Sequence, residues 1–174
     1  MKQGFTAPTG SKTVRPSGPT SDSIERKLWE KLIKLPLIPT PKGNYLPVLK
    51  HDKTLYVSGQ LPLKDGSLGS FVGRHGREIS VDGGQRAAQI CTLNALALAK
   101  NELGSLEKIK RVIKVTGYVS GMPGFTDHSL VMNGASDFLV ELFGEAGKHV
   151  RTVVGVTDLP FGSCIEIEYI FEIK

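Results

Sequence analysis

Residues 165–173 alternate almost without interruption: Ile165, Ile167, Tyr169, Phe171 and Ile173 fall on one side of an extended chain, Glu166, Glu168, Ile170 and Glu172 on the other. A period of two with apolar residues on one side and acids on the other describes a strand buried on one face only. The fold must therefore supply a sheet with one covered face and one that helices leave bare.

The covering layer is legible in the same way. A helix over about 84–103 is rich in apolar residues, carries Asp82 and Gln85 at capping-box spacing before it, and is closed by Gly104. A second, over about 126–143, places Val131, Ala135, Phe138, Leu139 and Leu142 at helical spacing and ends at Gly144. Strand-like segments fall at 45–49, 55–61, 108–120, 150–156 and 164–173, the first two joined by a turn at 51–53. The stretch 64–84 holds six glycines and reads as a long surface loop, either a lid over a cleft or a simple excursion. Strands interleaved with two long helices make a single α+β domain with a mixed sheet and both helices free to lie on one face.

Before this domain, residues 1–21 contain Lys2, Lys12 and Arg15 and no acid, with three Gly and three Pro. That composition cannot bury enough apolar surface to offset its ordering entropy, so it reads as a disordered basic leader. The domain then spans 22–174. It opens with a helix over 22–34, capped by Asp22 or Ser23, that uses Ile24, Leu28, Trp29 and Leu32 to pack onto the rest, and Pro36 stops it. The whole chain carries +5, but removing the leader leaves nineteen basic against seventeen acidic residues, so the folded part is almost neutral. A polyanion partner loses its main support. The basic run Lys108, Lys110, Arg111, Lys114 reads as a solvated or salt-bridged strand face.

Several chemistries lack their signatures. Cys91 and Cys164 lie 73 positions apart, with no histidine at metal-ligand spacing beside either, so no zinc, iron-sulfur or disulfide framework is expected. Two buried free thiols fit a reducing compartment, hence a cytoplasmic protein. The leader is basic but lacks the arginine enrichment and apolar face of a targeting peptide. The longest apolar run, 95–99, is far short of the roughly 20 residues of a membrane span. His51, His75 and His128 fall in loop-like or surface positions.

Period two also sorts the polar candidates. Val150, Thr152, Val154 and Val156 oppose His149, Arg151 and Val153, and the polar faces collect Ser58, Gln60, Tyr118, His149, Arg151 and Glu166. A bare face of mixed apolar, aromatic and charged residues suits burial by further copies of the chain, so a homo-oligomer is expected. Arg151 with Glu166 is the functional candidate: a guanidinium fork binds a carboxylate in bidentate fashion, and a carboxylate can deprotonate a water. A plain cross-strand salt bridge between the two satisfies the same spacing.

The residues Gly43-Asn44-Tyr45, Tyr56-Val57-Ser58-Gly59-Gln60-Leu61-Pro62, Val131-Met132-Asn133 and His149-Val150-Arg151, through Leu159-Pro160 to Ile165-Glu166-Ile167-Glu168, follow one another in an order that resembles the Rid (YjgF-like) family. These are enamine/imine deaminases, also called L-PSP endoribonucleases. The likeness covers about 35–174. It implies a chorismate-mutase-like fold assembled as a homotrimer, with ligand clefts between subunits and no metal or organic cofactor. By the same resemblance Arg151 clamps a small-molecule carboxylate, Glu166 positions the attacking water, Tyr45 and Ser58 line the cleft and Asn133 supports it. The implied reaction is hydrolysis of a reactive 2-imino or 2-enamino acid to the 2-keto acid and ammonia. Two departures stand out: Val153 occupies a position that is commonly Cys, and the glycine-rich loop is longer, as in a longer-looped branch. The rivals are a non-catalytic regulatory protein that binds a small carboxylate in the same cleft, and a metal-independent endoribonuclease. For the latter, only His149 lies near the cleft as a general base and the folded part lacks a basic groove.

Overall fold

The computed structural model of the chain describes residues 23–38 and 43–174. Along the chain run helix α1 (Ile24–Glu30), strands β1 (Val48–His51) and β2 (Thr54–Gln60), helix α2 (Val81–Leu103), strand β3 (Ile109–Ser120), helix α3 (His128–Phe143), and strands β4 (Val150–Val156) and β5 (Ile165–Ile173). The strands form one mixed sheet in the order β1-β2-β5-β3-β4. Only β3 and β4 pair in parallel, and α3 makes the crossover that a parallel pair requires. The single α+β domain expected from the sequence, a mixed sheet with both long helices on one face, is the fold of this chain.

One face of the sheet carries the core. Ile165, Ile167, Tyr169, Phe171 and Ile173 are all buried, as the alternation requires, and they meet Leu96, Ala99, Met132 and Leu139 from α2 and α3. Strand β3 departs from strict alternation. Two register shifts against β5, at 109/111 and 112/114, let Ile109, Val112 and Val115 all face inward at a spacing of three. The basic run is broken up accordingly. Lys108 precedes the strand and donates to the Leu103 carbonyl at the end of α2 (2.6 Å), and Lys110 pairs with Glu172 (2.6 Å).

The helix boundaries differ from the expected ones for local reasons. Ser80, extended at φ −76°, ψ 161°, caps α2 through its hydroxyl, which accepts from Gly83 N (3.1 Å), so the helix starts at Val81. Asp82, expected as the cap, sits inside the first turn and pairs with Arg86 one turn on. Helix α3 begins at His128, and β1 at Val48, leaving Tyr45 in the bend before it. The turn joining β1 to β2 is tight, with His51 opposite Thr54 and Asp52 at φ +50°.

Helix α1 is shorter than 22–34. Ser23 caps it, and Leu32 at φ +56° lies just beyond its end. Ile24 and Leu28 reach the core, whereas Trp29, expected to pack the helix down, is 72% exposed. Polar contacts do the rest: the Glu107 carboxylate accepts from Ile24 N (2.7 Å), Lys100 pairs with Glu25 (2.9 Å), and Lys27 donates to the Leu142 carbonyl (2.8 Å). The basic leader, and Asp22 as a cap, lie outside the described residues.

The glycine-rich stretch is a pinned connection. Lys64 and Ser67 exchange two backbone hydrogen bonds, Cys164 N donates to Phe71 O (3.0 Å), and Gly73 N to Gly162 O (2.9 Å). His75, expected in a loop or at the surface, lies in the loop but is fully buried. Its backbone N (2.8 Å) and its Nδ1 (2.9 Å) both donate to the Ser120 carbonyl. A long-range docking of this kind leaves no periodic trace in the local sequence.

Candidate functional site

Arg151 is the second residue of β4 and pairs across β3 with Val115, whose partner on β5 is Tyr169. Val115 and Tyr169 are buried under the helices, so Arg151 points to the helix-covered face, at the edge where α3 ends its reach. Its guanidinium is fixed by neutral acceptors of α3. Nη1 donates to Asn133 Oδ1 (3.0 Å) and Ser136 Oγ (3.1 Å), and Nη2 to the Ser129 carbonyl (3.4 Å). Ser136 in turn contacts His149 Nε2 (3.1 Å), while His149 Nδ1 contacts the Gly147 carbonyl (2.6 Å). Burial, and then the charge of Arg151, hold His149 below the ordinary histidine range despite that carbonyl, which keeps the ring neutral. A neutral ring that donates from Nδ1 accepts at Nε2, so the Ser136 hydroxyl donates to His149 and accepts from Arg151. Among the described residues no acid pairs with Arg151.

Glu166 stands elsewhere. It pairs with Tyr118, which lies opposite Val154, a row three residues along from that of Arg151 and on the bare face. Strand β3 runs between the two, so about 10 Å along the strands and two strand spacings of about 4.8 Å separate them. The expected single polar face is corrected accordingly: Arg151 and Glu166 lie on opposite faces of one sheet, and Gln60, opposite Ile167, is on the helix side, donating to the Ser58 and Gly59 carbonyls. A cross-strand salt bridge between Arg151 and Glu166 is thereby excluded within one chain.

The Glu166 carboxylate rests on Gly59, in the register shift of β2 between Val57 and Gln60. A Cβ at Gly59 would lie 2.0 Å from Glu166 Oε1, so only glycine leaves the carboxylate its seat. Burial, with Glu168 adding like charge, pushes Glu166 above the ordinary carboxylate range. Tyr118 beside it is likewise raised, first by burial and then by the charges of Glu168 and Glu166.

Glu166 and Tyr45 line one cavity of about 500 Å³, at the end of the sheet where β2 finishes and β5 begins. Ser58 shapes this cavity indirectly: its hydroxyl donates to the Leu46 carbonyl (2.7 Å) and its N–H to the Pro47 carbonyl (3.0 Å), which fixes the bend carrying Tyr45. The five residues singled out from the sequence thus form two groups, Arg151 with Asn133 and Glu166 with Tyr45 and Ser58. Ser136 was not among the residues expected from the sequence; its place three residues after Asn133 on one helix face was the available signal.

Both cysteines are free and buried, and burial raises both thiols, Cys164 to about 12, which leaves no reactive thiolate. Among the described residues no group of three or more His, Cys, Asp or Glu could hold a metal ion, and no helix is long and apolar enough to cross a membrane.

A single mixed sheet with two helices on one face, and polar residues grouped at its edge and end, places the chain with small single-sheet α+β proteins. Residues 25–173 match the family described as YjgF/chorismate-mutase-like, putative endoribonuclease. Protein TCP17 of Trypanosoma cruzi is 41% identical over 155 residues, 88% of this chain and 96% of that one. A protein of unknown function from Agrobacterium tumefaciens superposes with a TM-score of 0.80 at 43% identity, covering 87% of this chain and 92% of its own. A putative endoribonuclease from Shewanella oneidensis gives 0.83 at 32% identity, covering 87% and 99%. The chain belongs to the YjgF/chorismate-mutase-like family.

Proposed function

We propose that the protein is a hydrolytic deaminase of 2-imino and 2-enamino acids, acting in clefts that adjacent copies of a homotrimer complete. The observation that carries this reading is Arg151: a half-buried guanidinium, oriented by Asn133, Ser136 and Ser129, with no acid among the described residues to neutralise it. Leaving a partly desolvated cation unpaired is costly, and a fork with donors to spare is matched to a ligand carboxylate. The bare sheet face, where Tyr56 and Val154 are each more than 40% exposed, supports burial against another copy, and in such an assembly the edge position of β4 leaves Arg151 open to a neighbour's Glu166.

In this mechanism Arg151 binds the carboxylate of the imino acid and so fixes the adjacent imine carbon. Glu166, ionised yet partly desolvated, accepts a proton from a water whose oxygen bonds to that carbon, giving a carbinolamine. The protonated Glu166 returns that proton to nitrogen, completing the neutral carbinolamine; Glu166 then passes the hydroxyl proton to the same nitrogen as the C–N bond breaks, releasing ammonia and leaving the 2-keto acid. An enamine first takes a proton at its β-carbon to become the imine. The raised proton affinity of Glu166 suits a group that takes and returns a proton in one turnover. It favours catalysis over a purely carboxylate-binding role, which Arg151 alone would serve equally.

The test is complementation. Charge-assisted hydrogen bonds contribute roughly 1.5 to 3 kcal/mol each, so Arg151→Ala should lower keto-acid formation at least about a hundredfold. Glu166→Gln should lower turnover more than affinity. Co-refolding the two inactive variants in equal amounts should restore roughly a quarter of wild-type activity, because a cleft needs an intact Arg151 from one chain and an intact Glu166 from its neighbour. No recovery on mixing would refute the shared cleft, and full activity in Arg151→Ala would refute the clamp. An RNA arm run in chelator tests the nuclease activity that the family description carries.

A further inference from the structure

We infer that the substrate carries a bulky apolar group, aromatic or branched aliphatic, rather than the short side chain of a three-carbon imino acid. This rests on the deaminase reading for the reacting group and extends it to the rest of the molecule. The cavity beside Glu166 measures about 500 Å³, within the roughly 300 to 1,000 Å³ of sites that bury a drug-sized ligand, and several times what a three-carbon acid fills. Its walls away from Glu166 are mostly apolar: Leu61, Leu63, Leu68, Val72, Leu98 and Phe161 line it, with Gln60 and Ser67 as polar exceptions. Neither lysine nor arginine lines it, so the carboxylate would have to be held from outside, by Arg151 of a neighbouring copy, with the side chain directed inward.

Two further observations mark the compartment as built. The wall is held in place before any ligand arrives, because the buried Asn94 side chain donates to both the Leu61 (2.9 Å) and Leu63 (3.1 Å) carbonyls. Val72 is fixed in an isolated bridge to Ser163, two residues before β5. At the rim, Phe161 takes φ +58°, ψ 16°, a left-handed conformation that bulky residues rarely adopt, and its side chain remains 65% exposed.

The experiment compares two 2-imino acids made in situ by an amino-acid oxidase, one from alanine and one from phenylalanine, and binds pyruvate and phenylpyruvate by calorimetry. An apolar pocket gains roughly ten- to two-hundredfold per added methylene, so kcat/KM and affinity should each favour the phenyl compound at least about tenfold. Val72→Trp, which fills the compartment, should lower that preference at least about tenfold. Equal or reversed preference with both imines hydrolysed overturns the compartment and leaves the deaminase intact. Absence of hydrolysis with phenylpyruvate still bound preferentially overturns the deaminase and leaves the compartment. Absence of both hydrolysis and preference overturns the two together.

Discussion

Gly134→Ala sets helix propensity against packing, and the geometry says which prevails. At an exposed helix interior the exchange stabilises by about 1 kcal/mol. Here a methyl at residue 134 would lie 2.2 Å from the Gln85 carbonyl oxygen, 2.6 Å from its Cα and 2.7 Å from its carbonyl carbon. All three atoms are backbone of α2, so no side chain can rotate out of the way and the two helices must part. Parting them opens gaps around Met132, Ala135 and Leu139, which are fully buried. Overpacking costs about 1 to 3 kcal/mol, occasionally more, and a backbone obstacle puts this case at the upper end, for a net loss of about 2 kcal/mol after the propensity gain. Urea unfolding at fixed protein concentration measures it, with Asp137→Ala, exposed on the same helix, as the control expected to be neutral or slightly stabilising. A Gly134→Ala midpoint at or above wild type would refute the claim that close helix contact governs this position. Because Asn133 and Ser136 ride on α3, the variant should also weaken carboxylate binding.

Other perturbations read other parts of the molecule. Burial, reinforced by the charge of His128, holds His75 below its ordinary value of 6.5 despite its bond to Ser120. The unfolded chain therefore takes up a proton that the folded chain refuses, and stability should fall as pH drops below about 6.5. His75→Phe should flatten that slope, with the residue left to His149, and parallel slopes in chemical unfolding would refute the assignment. Gly59→Ala should displace the Glu166 carboxylate, lowering keto-acid formation at least about tenfold while costing little stability, since the obstructing atoms end a flexible side chain; unchanged turnover would remove Gly59 from the site.

Local pattern was enough for the layer architecture, because each buried face repeats at the period of its own element: the inward row of β5 and the apolar stripes of α2 and α3 were all legible. What failed depended on relations between elements. Parity says that Arg151 opposes Val150 within β4 and that Glu166 opposes Ile165 within β5, but nothing in either strand says which parity of one matches which parity of the other. In β4 the ambiguity is acute, since valines occupy both sides, Val150 and Val154 toward the bare face and Val153 against the core. The bulges of β3 erased its period for the same reason that they are useful, by turning Ile109 and Val112 inward. His75 and Ser136 act through partners 45 and 13 to 15 positions away, beyond any local window.

The placement of Arg151 and Glu166 on opposite faces has a genetic corollary in the assembly proposed here. Each chain lends an arginine to one cleft and a glutamate to another, so a copy lacking both groups silences the two clefts that it borders. Variants at these positions would then act dominantly when co-expressed with the intact chain, whereas variants that prevent folding would be recessive, since they never enter the ring.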